Sequence, residues 1–435
     1  MQYTETTRNF ALTNNNIKTM KNRLLSIMAA LSTVCCAAQG LTLDDCRRLA
    51  RDNYPSIKQY GLIAATKDYD MSNASKGWLP KISVQAGAYG VTDILDQESM
   101  IGKMGVNMDN YVVSGNVTVR QTVYDGGRIA AGKQTAAAKS AVETNQTDVD
   151  LYNIKVRTEE IFFGILIIDR QLLQNAILQN DLKVSIKTVE GMMRSGIANQ
   201  TDLDALQVEL VNARQQRDAY EASRMAYLKM LGTFIGKELG SNTTIEMPSI
   251  PTGNDGDGSL RPEMNLYASQ DLLLDAQHKQ LNTALRPTVD FIGIGLWHTK
   301  MTDVVNSSML LGGLTVSWNI GALYTRKNDL RKLDIQRKQN DVQRKTFLFH
   351  NKLQRQEADG TVTALRKQLA SDDEIVKLRE GIRRIADRKV AAGTESINEL
   401  VRNINAVNKA QSQRAIHEVQ LLKALYAKQS LNGEM

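Results

Sequence analysis

Four histidines (His278, His298, His350 and His417) and three cysteines (Cys35, Cys36 and Cys46) are the softest metal ligands in this chain. The histidines stand far apart with no cysteine or paired acid beside them, whereas a zinc site needs three or four such ligands converging. No metal is expected. Gly232-Thr-Phe-Ile-Gly236-Lys237 comes near the loop that cradles phosphate with backbone N–H groups, but it is one residue too short. Gly293-Ile-Gly295 follows a strand pattern, yet it lacks the third glycine and the helix that a dinucleotide-binding turn requires. Asp255-Gly-Asp257-Gly looks like the start of a calcium loop, whose last position should be a bidentate glutamate; here that position is Leu266. The sequence supports no catalytic residue, no cofactor and no enzyme.

Two glycine–acid pairs are spaced to more purpose. Gly196 is followed by Asp202 and Leu203, and Gly393 by Glu399 and Leu400, a displacement of 197 residues throughout. Glycine permits the positive φ of a tight turn and the close approach of a partner's backbone. An acid opening the next helix is favoured by about 0.3–1 kcal/mol through the helix dipole, whether or not it has another task.

The elements that would position these residues also come in pairs. Pro55 and Pro80 are 25 residues apart, as are Pro262 and Pro287, and the pairs are displaced by 207. Trp78-Leu79-Pro80 returns as Leu285-Arg286-Pro287, and Val117-Thr118-Val119 as Leu314-Thr315-Val316. Landmarks repeated in order predict an internal duplication: 41–240, then 263–430, joined by a linker at 241–262 rich in Ser, Thr, Pro, Gly and Asp. Helical pattern runs over about 43–76 and 263–284. The period then falls to two, giving hairpins in 81–123 and 288–320 with connections near 92–110 and 299–308. Strands of about 10 residues, apolar on one face and polar on the other, suit a transmembrane barrel, and equally an ordinary soluble hairpin.

The stretches 81–247 and 288–435 contain no proline. The run from Gly126 to about Met193 predicts a helix of roughly 100 Å. Val142, Val149, Val156 and Phe163 recur every seven residues, as do Leu206, Ala213, Tyr220, Tyr227 and Phe234, then Ile335, Val342 and Phe349. Sevenfold spacing predicts coiled-coil-like packing, with other copies of the chain as partners.

Residues 1–40 read as an upstream extension followed by an export signal from Met20. A basic opening at Lys21 and Arg23 precedes an apolar stretch too short to span a membrane, then small residues at Ala38 and Gly40. Without them 50 basic and 46 acidic residues remain, a net +4, and no basic stripe that would bind nucleic acid. Cys46 is left without an intrachain partner, so packing or oligomerisation must stabilise the exported protein.

The ordered set of export signal, helix, proline, amphipathic hairpin, long helix, glycine turn and returning helix, all repeated, resembles the TolC family of outer-membrane efflux proteins. Matching phrases are Trp78-Leu79-Pro80 entering the strand, Gln121-Thr-Val-Tyr-Asp-Gly-Gly127 leaving it, and the turns Ser195-Gly196-Ile197 and Ala392-Gly393-Thr394. The resemblance covers about 41–430. It implies a mainly α fold with a small β-barrel. Three chains would each give four strands to a twelve-stranded outer-membrane barrel, and their helices would continue as a hollow α-barrel across the periplasm of a Gram-negative bacterium. Implied partners are outer-membrane lipid, an inner-membrane pump and a periplasmic adapter (membrane fusion protein), which would touch Ser195, Gly196, Ile197, Ala392, Gly393 and Thr394. It also implies that Asp202 and Glu399 ring the narrow periplasmic end of the tunnel. Members with a second acid three residues further on have Asp there, where this chain has Arg402, so ion pairing would partly neutralise the ring. The competing expectation is a periplasmic coiled-coil adapter or scaffold with no pore.

Overall fold

A computed structural model describes residues 40–90, 111–251, 258–298 and 308–433. The expected export signal, the connections between paired strands and residues 255–257 of the calcium-like stretch lie outside them. The proline-free runs fold as four helices: α3 (Arg128–Arg194), α4 (Gln200–Ile235), α6 (Ala322–Ala391) and α7 (Ile397–Asn432). At 67 and 70 residues, α3 and α6 each extend for about 100 Å. The helix expected over 43–76 is interrupted. α1 (Leu43–Asn53) gives way to a 3-10 turn at Pro55–Lys58 before α2 (Gln59–Ser75). Proline disfavours helical backbone in the residue before it, and Tyr54 is extended accordingly. α5 (Pro262–Thr283) instead carries its proline in the first turn, where the missing N–H costs nothing.

The strands are β1 (Lys81–Gly90), β2 (Tyr111–Tyr124), β3 (Thr288–His298) and β4 (Ser308–Ser317), an antiparallel sheet ordered β1-β2-β3-β4. Ladder partners include Val84 with Val117, Val117 with Gly295 and Gly295 with Leu310. The register shifts between Thr122 and Tyr124, a bulge at the end of β2. The chain then turns into α3 on Asp125, whose carboxylate accepts from the N–H groups of Gly127 (2.8 Å) and Ile129 (2.7 Å). Gly126 has φ 68°, and a Cβ there would stand 2.8 Å from that of Arg286, so no larger residue fits.

The chain forms two compact units, each drawing on both halves of the sequence. One comprises the described residues of 1–53, 155–251 and 361–426. Its core contains Ile161, Phe162, Phe163 and Ile165, all at most 2% exposed. By length and composition α3 could cross a membrane, but here these residues are packed inside protein. The Phe163 ring lies 5.5 Å from Tyr426, which Arg47 covers at 5.1 Å while its Nε donates to Glu159 (2.9 Å). Cys46 is buried in the same unit, and desolvation pushes its thiol up to about 12, keeping it protonated.

The other unit comprises the described residues of 54–154, 252–360 and 427–435, including the sheet. There Arg261 stacks over Tyr152 at 4.5 Å and donates to the Ser430 carbonyl at 3.2 Å. Of the sevenfold series, Val149, Phe163, Leu206 and Ala213 are buried. Ile335, Val342 and Phe349 are 55%, 60% and 61% exposed, an apolar stripe that the other described residues do not cover.

Candidate functional site

The two glycine turns lie in the first unit and have the same geometry. Each ends its helix with the paired hydrogen bonds of a Schellman motif. Ile197 N–H reaches the Met192 carbonyl (2.9 Å) and Gly196 N–H that of Met193 (3.0 Å). Thr394 and Gly393 do likewise to Lys389 and Val390 (2.9 Å each). The left-handed residue is Gly196 at φ 72° and Gly393 at φ 71°. All six turn residues, Ser195 to Ile197 and Ala392 to Thr394, are exposed. The turns are neighbours: a Cβ on Gly393 would sit 3.6 Å from Cγ2 of Ile197. Beneath them Val189, Leu206, Val390, Leu400 and Ile404 belong to one buried cluster. Gly393→Val is therefore expected to cost about 1–2 kcal/mol through its left-handed backbone alone. Urea unfolding would measure this, and a cost no larger than for Ala392→Val would refute the backbone cause.

Both acids stand third in the helix that follows. Asn199 and Asp202 form a reciprocal capping box, each side chain accepting from the other's backbone N–H at 3.0 Å. In the second turn the Glu399 N–H donates to Ser396 Oγ at 3.3 Å. Glu399 pairs with the exposed Arg402 at 3.2 Å, the ion pairing expected from the sequence, and it also accepts from Asn403 Nδ2 at 3.4 Å. The caps Asn199 and Ser396 were not singled out in the sequence, although an Asn or Ser three residues before an acid is a legible signal. Nor was the ion pair of Arg383 with Asp181 (2.5 Å), which ties α6 to α3.

The sheet, in the second unit, separates its faces by chemistry. Residues directly opposite in a ladder share a face. One face carries Ile82, Val84, Val117, Val119, Phe291, Trp297, Leu310, Leu314 and Val316. Among the described residues it has no charge, and its side chains are open to the surroundings: Val84 is 73% and Leu310 86% exposed. At its root stand the exposed aromatics Tyr124 and Trp318, the latter donating from Nε1 to the Leu285 carbonyl (2.9 Å). The opposite face carries Lys81, Ser83, Gln85, Asn116, Thr118, Arg120, Thr122, Asp290 and Thr315. The second hairpin alternates less cleanly than expected. Ile292, Ile294, Leu296, Met309 and Leu311 fall on the polar face, and β4 stops at Ser317, before Trp318 and Ile320. In β4 every residue is exposed, and the outer edges of β1 and β4 are unpaired among the described residues.

Among the described residues no group of three metal-ligating side chains converges. His278, His350 and His417 remain apart from one another in the sequence; His417 Nδ1 is 2.6 Å from Asp372.

No protein-family model matches the chain, and no curated protein matches it in sequence. Solved structures do match. The outer-membrane channel OprN is 14% identical with a TM-score of 0.69, covering 90% of both chains. The outer membrane protein VceC of Vibrio cholerae is 11% identical with a TM-score of 0.68, covering 90% of this chain and 96% of its own. The MtrE outer-membrane channel of Neisseria gonorrhoeae, solved in its open state, is 12% identical with a TM-score of 0.66, covering 90% of this chain and 89% of its own. At such identities the likeness establishes the fold: this chain has the architecture of the outer-membrane channels. The mainly helical chain with four antiparallel strands, expected from the sequence, is the one observed.

Proposed function

We propose that this protein is the outer-membrane component of a tripartite efflux or secretion system in a Gram-negative bacterium. In this role it is a passive homotrimeric duct across the periplasm and outer membrane, not an enzyme. The observation that carries the proposal is the sheet: four strands with an exposed apolar face and two edges, the face uncharged and the edges unpaired among the described residues. In water such edges invite aggregation, and in lipid their unpaired N–H and C=O groups would each cost several kcal/mol. Closing three sheets into one twelve-stranded barrel removes both liabilities, with the apolar face toward lipid and the polar face toward the lumen. Tyr124 and Trp318 then stand where interfacial aromatics belong. The apolar stripe on Ile335, Val342 and Phe349 supplies contact between protomers, and the repeated turns support an internal duplication. Their exposed tips are where a periplasmic adapter would dock.

Asp202 and Glu399 would ring the entrance, and three copies of either favour cations. Arg402 offsets Glu399. Single-channel recording of the purified protein under a salt gradient tests both points. Arg402→Ala is expected to raise the preference for potassium over chloride and Glu399→Ala to lower it. Unchanged reversal potentials in both would remove Glu399 and Arg402 from the filter; Asp202→Ala tests the other turn in the same way. A pore-free periplasmic scaffold would give no conductance steps and would still assemble after deletion of 81–123 and 288–320, which a channel would not survive.

A further inference from the structure

The polar face of the sheet holds its exposed charges in an arrangement that folding does not require. Lys81 on β1 is directly opposite Arg120 on β2, so the two cations leave the same face with Cβ atoms about 4.5–5.5 Å apart. Both are exposed, and among the described residues neither is paired with a carboxylate. The only acid described on this face, Asp290, is opposite Thr122, diagonal to Arg120, and is buried. Like charges facing each other across a ladder destabilise a sheet. Asp290 forms no ion pair with either cation among the described residues, so the repulsion is left for an anion between them to offset.

We infer that Lys81 and Arg120 form an anion-recognition site on the lumen wall, which selects solutes bearing carboxylate or phosphate groups. The inference rests on the duct proposed above, in which this face lines the channel and three copies bring six cations around it. The chemistry suits the task. A guanidinium grips a carboxylate or phosphate with two parallel N–H bonds, and an ammonium adds a compact point charge beside it. Rings of Arg and Lys are the devices by which pores favour anions. The site acts in the opposite sense to the acids at the glycine turns.

The test compares the full-length protein with K81Q/R120Q in planar bilayers under a potassium chloride gradient at low salt. The chloride-to-potassium permeability ratio is expected to fall by about twofold in the double variant, an effect that shrinks as the Debye length shortens. K81R/R120K, which keeps both charges, should retain the ratio. Steps with the same reversal potential in wild type and K81Q/R120Q overturn the anion site and leave the duct standing. A second measurement needs no open pore: the thermal midpoint with and without millimolar inorganic pyrophosphate. The wild type is expected to be raised by pyrophosphate, whereas K81Q/R120Q should start higher and respond less. Equal responses overturn the site. If neither conductance steps nor membrane-inserted trimers appear, the duct itself fails, and the pyrophosphate response then decides the anion site alone.

Discussion

In the duct proposed above, Val117→Arg is expected to remove most of the outer-membrane form, whereas Thr118→Arg, one residue further on, leaves it nearly intact. Val117 lies midway along β2 on the uncharged face, between Val84 and Gly295 in neighbouring strands. An arginine at the middle of a lipid-facing strand costs about 2–4 kcal/mol, falling toward zero near the interfaces. Each 1.4 kcal/mol is tenfold, so the inserted fraction should drop by more than an order of magnitude for every protomer affected. Thr118 points to the other face, opposite Ser83 and Ile294, where a lumen would solvate the charge. Flotation of outer membranes and heat-modifiable trimers on unheated gels report the two outcomes. Equal loss, or equal tolerance, would contradict a barrel with lipid on the apolar side. A soluble sheet gives a different pattern, because an exposed arginine at Val117 would then be nearly neutral.

The face assignment also explains why the fold was more legible in the sequence than the site. Period-two alternation at 81–90 and 111–124, and the proline-free runs behind it, follow directly from backbone geometry, so strands and helices emerged within a few residues of their ends. The interruption at Pro55 departs from the continuous helix expected over 43–76, because proline disfavours helix in Tyr54 before it. Register was not legible. Only pairing shows that Lys81 meets Arg120, or that Ile294 and Leu311 turn toward the polar face, because a slip of one residue exchanges the faces. The turns show a similar limit. Glycine spacing located both, and an Asn or Ser three residues before each acid marks the caps, but only the hydrogen bonds show what Asp202 and Glu399 hold: Asn199 N–H for the one, Arg402 and Asn403 for the other. Chemistry that uses one residue was visible, and chemistry that uses two from different elements was not.

The same distinction sets the expected result for the helical interior. Phe163 is fully buried, edge-on to Phe162 at 5.9 Å between ring centroids and 5.5 Å from Tyr426. Phe163→Ala should cost about 3–5 kcal/mol, the lost transfer energy plus the cavity that close-packed neighbours fill only in part. That loss belongs to the folded protomer, so the urea midpoint should fall by the same amount at every protein concentration. Phe349 belongs to the exposed stripe of α6. If other copies cover it, Phe349→Ala leaves the dissociated protomer's unfolding unchanged and instead weakens assembly, lowering the midpoint of the assembled protein by an amount that depends on protein concentration. Analytical ultracentrifugation in detergent, run beside the unfolding curves, separates the two. Phe349→Ala with unaltered assembly would mean that the stripe is not an interface between copies. Phe163→Ala without destabilisation would mean that the packing around Tyr426 does not contribute to stability, and the position of α3 in that core would be wrong.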